Sequence, residues 1–392
     1  MQRPFQRLLQ VPSHSFFLFG PRATGKSTWL QEALPGARRL DLLDTRLALD
    51  MTRDPHRLEA HVGDLRAGQW VVLDEIQKIP ALLDEVHRLM EGRRLKFALC
   101  GSSARKLKRG GADLLGGRAI LRHMEGFSAA ELGKSFHLER ALEWGTLPLV
   151  FQSRGHEADI LESYVHTYIQ EEIKAEGIVR QVAPFLRFLS VAGQLNGQSV
   201  NASNVSREAG VPRASVDAYF EILVDTLLGH FLQAWLPALK VRERARPKFY
   251  WFDSGVARFA AGLGADPVDR AWKGFALETL VFHELRVFNE TRANRRPISY
   301  YHTAADVEID FVVETRKRRE GTKPAVVCIE VKSSEKWDRT WNRAMRDLAA
   351  SGRVHVDGLY GVYRGDRRLH FDGIQVLPVL DFLSALHSGK IF

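Results

Sequence analysis

The chain has 392 residues, which is long for a single core, so two or three domains are expected. Apolar residues at 45% and charged residues at 26% exclude a disordered chain, and a formal charge of +9 favours a polyanionic partner without specifying one. Two cysteines, Cys100 and Cys328, each inside an apolar run, exclude a disulfide framework and a thiolate zinc site.

The first apolar run, Phe16–Phe19, is too short for a signal core or a membrane span, so a cytoplasmic protein with no membrane partner is expected. It leads into GxxxxGKS, here Gly20, Pro21, Arg22, Ala23, Thr24, Gly25, Lys26 and Ser27, then Thr28 and a helix-compatible stretch. Strand, glycine-rich loop and helix in that order form a phosphate cradle, in which backbone amides and the helix N-terminus face the anion. Lys26 is expected on the β- and γ-phosphates of ATP and Ser27 on Mg2+. A second apolar run, residues 70–73, delivers Asp74 and Glu75 at its C-terminal end, where ligands bind in open parallel sheets. Asp74 is expected in the magnesium shell, and Glu75 is expected to polarise the attacking water. A third run, residues 95–100, ends in Gly101, Ser102 and Ser103. Ser102 either touches the γ-phosphate or the water, or caps the next helix.

The stretches 19–28, 72–77 and 114–119 together resemble a prokaryotic AAA-type ATPase family whose members carry a C-terminal domain of formerly unknown function. The resemblance implies that Arg118 acts as an arginine finger on the ATP of a neighbouring subunit, so that turnover needs a homo-oligomer. The local alternative is that Arg118 pairs with a nearby carboxylate.

Residues 136–200 read as helical, with Ile160, Tyr164, Tyr168 and Ile173 near helical spacing, and core packing is the expectation for them. A short helix from Asn204, a turn at Gly210 and a helix from Arg213 give a helix-turn-helix pattern, and two β-like runs, 229–235 and 248–252, would complete a winged helix. Lys240, Arg242, Arg244, Arg246 and Lys248 occupy every second position between them, so an extended wing would present all five on one face to the phosphates of DNA. The alternative is a structural lid whose basic tip only guards an edge.

Further on, Glu278 lies in an amphipathic helix, and three runs, 298–302, 308–313 and 325–332, read as strands. Asp310, Glu330 and Lys332 form an Asp, Glu-x-Lys set. Glu330 and Lys332 share a strand face, so Asp310 and Glu330 can bind a hard cation, Mg2+ or Mn2+, while Lys332 either stabilises the developing oxyanion or assists a bound water, and Glu278 completes the cluster. This resembles the PD-(D/E)xK nuclease fold, although Ile309, not proline, precedes Asp310. His283 is expected as a partly buried helix residue, not a ligand.

The expected architecture is α/β: an AAA-type P-loop ATPase core with a parallel sheet over 1–135, a helical lid and winged helix over 136–258, and a restriction-endonuclease-like α/β domain over 259–392. The expected activity is ATP hydrolysis coupled to action on nucleic acid, with a metal-dependent nuclease regulated by ATP. The alternative is a regulatory or signalling ATPase whose distal domains bind DNA or a protein without cleavage.

Overall fold

The structure is a computed structural model and describes residues 5–102, 105, 107, 115–169, 182–235, 246–302, 308–319 and 322–392. The first part runs β1 (Phe16–Phe19), α1 (Lys26–Ala33), β2 (Arg38–Asp41), α2 (Thr45–Arg53), α3 (Arg57–His61), β3 (Trp70–Asp74), α4 (Leu82–Arg93), β4 (Lys96–Gly101) and β5 (Ile120–His123). Its five strands form one parallel sheet in the order β2-β3-β4-β1-β5. Continuous apolar strands such as β1 suit a sheet covered on both faces. Successive β1 side chains divide accordingly: Phe17 and Phe19 join Leu73 and Leu99 in one core, while Phe16 and Leu18 join Trp29 and Leu30 in the other.

The next part runs α5 (Ala129–Leu132), α6 (Leu138–Trp144), α7 (Pro148–Gln152), α8 (Glu157–Ser163), α9 (Val182–Gln194), β6 (Gln198–Ser199), α10 (Ala202–Ala209), α11 (Arg213–Asp225), β7 (Gly229–Leu232) and β8 (Lys248–Trp251). A capping box fixes the start of α5: the Ser128 hydroxyl accepts from the Glu131 amide, and the Glu131 carboxylate accepts in return. Gly210, at φ 62°, ends α10 and lets the chain turn into α11. The three short strands form an antiparallel sheet in the order β6-β8-β7.

The last part runs α12 (Ser254–Ala260), α13 (Arg270–Thr291), β9 (Ile298–His302), β10 (Glu308–Arg316), β11 (Ala325–Lys332), α14 (Arg343–Ala350), β12 (His355–Tyr363), β13 (Leu369–Phe371), β14 (Ile374–Pro378) and α15 (Val379–His387). Six strands form a mixed sheet in the order β13-β14-β12-β11-β10-β9. Strands β9, β10 and β11 are antiparallel neighbours, and β12 joins β11 in parallel after the α14 crossover.

Helix α13 has almost no amphipathic face, because it is buried on several sides: Trp272, Leu277, Leu280, Val281, Leu285 and Phe288 all lie in the core. One hydrophobic core runs from Ala141 and Phe185 through Trp251 and Leu277 to Phe382, so the middle and last parts are packed as one body. The backbone joins them too, since the Trp235 amide donates to Tyr300 O at 2.6 Å and the Tyr300 amide to Gln233 O at 3.0 Å.

Candidate functional site

The first site lies at the C-terminal end of the parallel sheet. The chain leaves β1 at Gly20, where an added Cβ would lie 2.1 Å from Met124 O, so only glycine lets the loop pass β5. Ala23 at φ 61° and Gly25 at φ 85° then curl the backbone into α1. Arg7 holds this loop from behind: its guanidinium, 6% exposed, donates to Thr24 O at 3.0 Å, to Gly126 O at 3.2 Å and to Glu131 at 2.8 Å. The Tyr164 hydroxyl adds a bond to Arg22 O at 3.2 Å. Neither residue carries a local signal in the sequence.

The buried Lys26 ammonium folds onto the loop, donating to Gly20 O at 2.7 Å and Pro21 O at 2.8 Å. Burial lowers its pKa, against the pull of Cys100, Glu75 and Asp74. The exposed Ser27 hydroxyl donates to Asp74 Oδ2 at 2.5 Å. Helix start and strand end thus converge two hard oxygens on one point, and this donor pair fits Mg2+ when phosphate oxygens complete the shell.

Glu75 sits in the left-handed region at φ 58°. Burial raises its pKa, while Arg22, Lys26 and a bond from Gln77 act the other way. Gln77 Nε2 donates both to Glu75 Oε2 and to Ser102 Oγ, the latter at 3.1 Å. Ser102 is buried and joined to Glu75 by way of Gln77, a neighbour that sequence reasoning did not single out. Ser103 lies outside the described residues. Beside the loop, a cleft of about 230 Å³ is lined by Thr24, Gly25 and Thr28 on one side and by Phe5, Phe127 and Leu149 on the other.

Arg118 precedes β5, at the end of the sheet opposite the loop, and its Nε donates to Glu91 at 2.8 Å. Both side chains are about half exposed or more, so this pair contributes little stability.

Of the expected wing cations, Lys240, Arg242 and Arg244 lie outside the described residues. Arg246 is exposed, and Arg213 on α11 is exposed with its guanidinium 3.2 Å from Ser203 Oγ. Lys248 departs from the expectation of a solvent-facing cation, because its side chain is only 7% exposed. All four residues of β8 are buried, so both of its faces are covered, and the face carrying Lys248 and Tyr250 meets Glu278 of α13. The Lys248 ammonium pairs with Glu308 and lies 3.9 Å from both Glu278 and Asp310.

The second site is built around that lysine. Helix α13 supplies Glu278, β10 supplies Glu308 and Asp310, and β11 supplies Glu330 and Lys332. Lys332 bonds Glu330 at 2.5 Å and Asp310 at 3.4 Å, the Val331 amide donates to Asp310 Oδ2 at 2.7 Å, and the Tyr250 hydroxyl donates to Glu278 at 3.1 Å. The four residues expected from sequence do converge, joined by Lys248, Glu308 and Tyr250, which were not expected.

Burial, reinforced by Asp310, pushes the Glu278 and Glu330 carboxyls up to about 8 each. For Lys248 and Lys332 burial opposes the charge, but the surrounding carboxylates outweigh it and raise both. Two ammonium groups therefore stand among the carboxylates, and among the described residues no group of three or more Asp, Glu, His or Cys is arranged to hold a metal ion. As folded, Lys332 bonds both carboxylates of the expected Asp310 and Glu330 metal pair, and Lys248, which was not expected there, lies 3.9 Å from Asp310. His283 is buried, with Nε2 3.0 Å from Phe127 O, as a helix residue.

Compared with known proteins, residues 13–133 match an AAA domain, residues 135–267 match a domain of unknown function (DUF8612), and residues 273–382 match another (DUF4143). Uncharacterized proteins of Mycobacterium tuberculosis and Mycobacterium bovis are each 26% identical over 387 residues, covering 95% of this chain and 80% of theirs. Among solved structures, the Aeropyrum pernix ORC1 protein in complex with DNA has a TM-score of 0.31 at 14% identity, covering 66% of this chain and 88% of that one. The N-terminal part is a P-loop ATPase domain of the AAA type, followed by further α/β structure. Among the described residues no helix is long and apolar enough to cross a membrane.

Proposed function

We propose that the chain hydrolyses ATP to control how its middle and C-terminal parts hold nucleic acid, and that the C-terminal carboxylate site binds without cutting. The observation that carries the ATP reading is the 2.5 Å contact of Ser27 with Asp74 beside the buried Lys26. The amides of Gly20 to Thr28 would take the phosphates, Lys26 would leave its two carbonyls for the β- and γ-oxygens, and the cleft facing Phe127 and Leu149 would take the base. Bound Mg2+ would neutralise developing charge on the phosphates. Glu75, held by Gln77, would orient the water. Lys26→Ala and Glu75→Gln should both abolish phosphate release, with ATP binding retained in the Glu75 variant; turnover in both variants overturns the assignment.

The nucleic-acid part rests on topology and charge. Helix, strand, two helices and a hairpin with sheet order β6-β8-β7 support a winged helix, with Arg213, Arg246 and the segment holding Lys240, Arg242 and Arg244 toward DNA. Binding without cleavage is favoured by the Lys248 ammonium among Glu278, Glu308 and Asp310. Metal-dependent cleavage of DNA in Mg2+ or Mn2+, lost in Lys332→Ala, would instead establish a nuclease. Arg118, remote from its own loop, can serve ATP only across a subunit contact, so Arg118→Ala should lower turnover if the protein works as a homo-oligomer.

A further inference from the structure

Directly beyond Lys332, the chain bends away from β11 and lines a cleft of about 460 Å³ with Ser333, Ser334, Arg270, Lys273, Lys336 and Arg364. These four cations face one carboxylate of the lining, Glu335. The cleft lies beside the first turn of the 22-residue helix α13, whose N-terminus is capped by the Asp269 carboxylate, which accepts from the Trp272 amide at 2.6 Å. Among the described residues Arg270 and Lys336 make no ion pair, and the buried Nε of Arg364 has no hydrogen-bond partner.

One anion reaches in from elsewhere. Glu139, on α6, bonds Lys273 at 2.9 Å and Arg364 at 2.5 Å. These bonds lower its pKa, and it remains 55% exposed, so a stronger anion can compete for its place. A singly charged carboxylate satisfies two of the four cations; a phosphate offers more acceptor oxygens and suits the forked guanidinium of Arg364.

We propose that this cleft is a phosphate-binding subsite for the nucleic-acid backbone and that Glu139 holds it in the unliganded protein. The proposal rests on the nucleic-acid reading above and adds to it a location and a competitor. A phosphate entering here sits next to the carboxylate and lysine cluster, because Ser333 follows Lys332 directly. It also displaces the ion pairs that Glu139 makes with Lys273 and Arg364, while the apolar face of α6 stays packed in the shared core.

The test is fluorescence anisotropy of a short labelled oligothymidylate over a range of salt, with wild type, Glu139→Gln and the double variant Arg270→Glu/Lys336→Glu. Both reversed side chains are exposed, and an unchanged circular-dichroism thermal midpoint will report intact folding. Glu139→Gln should tighten binding several-fold. The double variant should weaken it and flatten the slope of log affinity against log salt by about 0.7 for each single-strand phosphate that the protein no longer neutralises. Binding that is equal in all three proteins overturns the subsite and leaves the nucleic-acid reading intact. Absence of oligonucleotide binding from wild type and Glu139→Gln overturns that reading. Inorganic phosphate, titrated by calorimetry into the same two proteins, separates the sources: uptake without oligonucleotide binding rejects a nucleic-acid source and retains a phosphate site.

Discussion

Replacing Lys248 with methionine removes the charge at the centre of the C-terminal site while keeping most of its volume. The ammonium pairs with Glu308, lies 3.9 Å from Glu278 and Asp310, and is only 7% exposed. Breaking a buried ion pair from one side costs about 3–5 kcal/mol, because the partner charge stays buried without compensation. Here one of the neighbouring carboxyls, Glu278, has an escape. Glu278 already titrates at about 8 in the folded protein, against an ordinary 4.5, so it can shed its charge by taking a proton. A folded value above the unfolded one contributes stability that is complete at low pH and is lost as pH rises through the folded value. Removing Lys248 raises the folded value further. Lys248→Met should therefore be costly a unit above pH 8 and much milder a unit or more below it. Native-state hydrogen exchange of the β8 and β10 amides, corrected for intrinsic rates, reads the opening free energy of these strands at each pH. A destabilisation below about 1 kcal/mol, or one equal at both pH values, would refute the reasoning that an unneutralised buried charge is what weakens the variant.

Millimolar Mn2+ without nucleotide should leave the thermal midpoint of the wild type unchanged and raise that of Lys248→Met, because only the variant has lost the ammonium from its carboxylates; a rise in the wild type contradicts a cation-filled site. Gly20→Ala should lower ATP turnover by about 10²-fold, the typical cost of a 1 Å misplacement, since its Cβ would lie 2.1 Å from Met124 O; near-normal phosphate release counts against the packing argument. Gln77→Leu removes one hydrogen bond that lowers the Glu75 pKa and leaves Arg22 and Lys26 to oppose burial and Asp74. The acid limb of the turnover profile should then move to higher pH, and an unmoved limb would mean that Gln77 does not position the ionised carboxylate.

The ATP site was legible because its information is short-range. Gly20, Gly25, Lys26 and Ser27 lie within one turn and one helix start, and the apolar run ending at Asp74 fixes which strand end carries the second oxygen. The same locality explains what was missed. Gln77 reads as an ordinary polar residue until β4 brings Ser102 against it, and Arg7 gains meaning only when the chain returns at Gly126 and Glu131. Lys248 and Tyr250 share one face of β8, as strand alternation requires, but alternation says nothing about what covers that face. A central strand and an edge strand can carry the same pattern. Helix α13 and strand β10, which bring Glu278, Glu308 and Asp310 against that face, put the cation inside.

The position of α13 then gives the two sites a common mechanical element. Its Arg286 bonds Glu125 at 2.6 Å, its Glu284 accepts from the Ala129 amide at 2.7 Å, and Phe127 O meets its His283. All three contacts fall on the segment after β5, whose Met124 presses on Gly20 of the phosphate loop. Two turns earlier, the same helix presents Glu278 to Lys248 and Tyr250. A packed helix transmits displacement because its neighbours leave no room for it to deform alone. Any movement of the loop that shifts the 124–129 segment must therefore either break the Arg286 and Glu284 contacts or move α13, and with it one wall of the carboxylate site. Movement of α13 as a unit carries Glu278 with it, and that is the physical route by which the C-terminal site would respond to the state of the nucleotide.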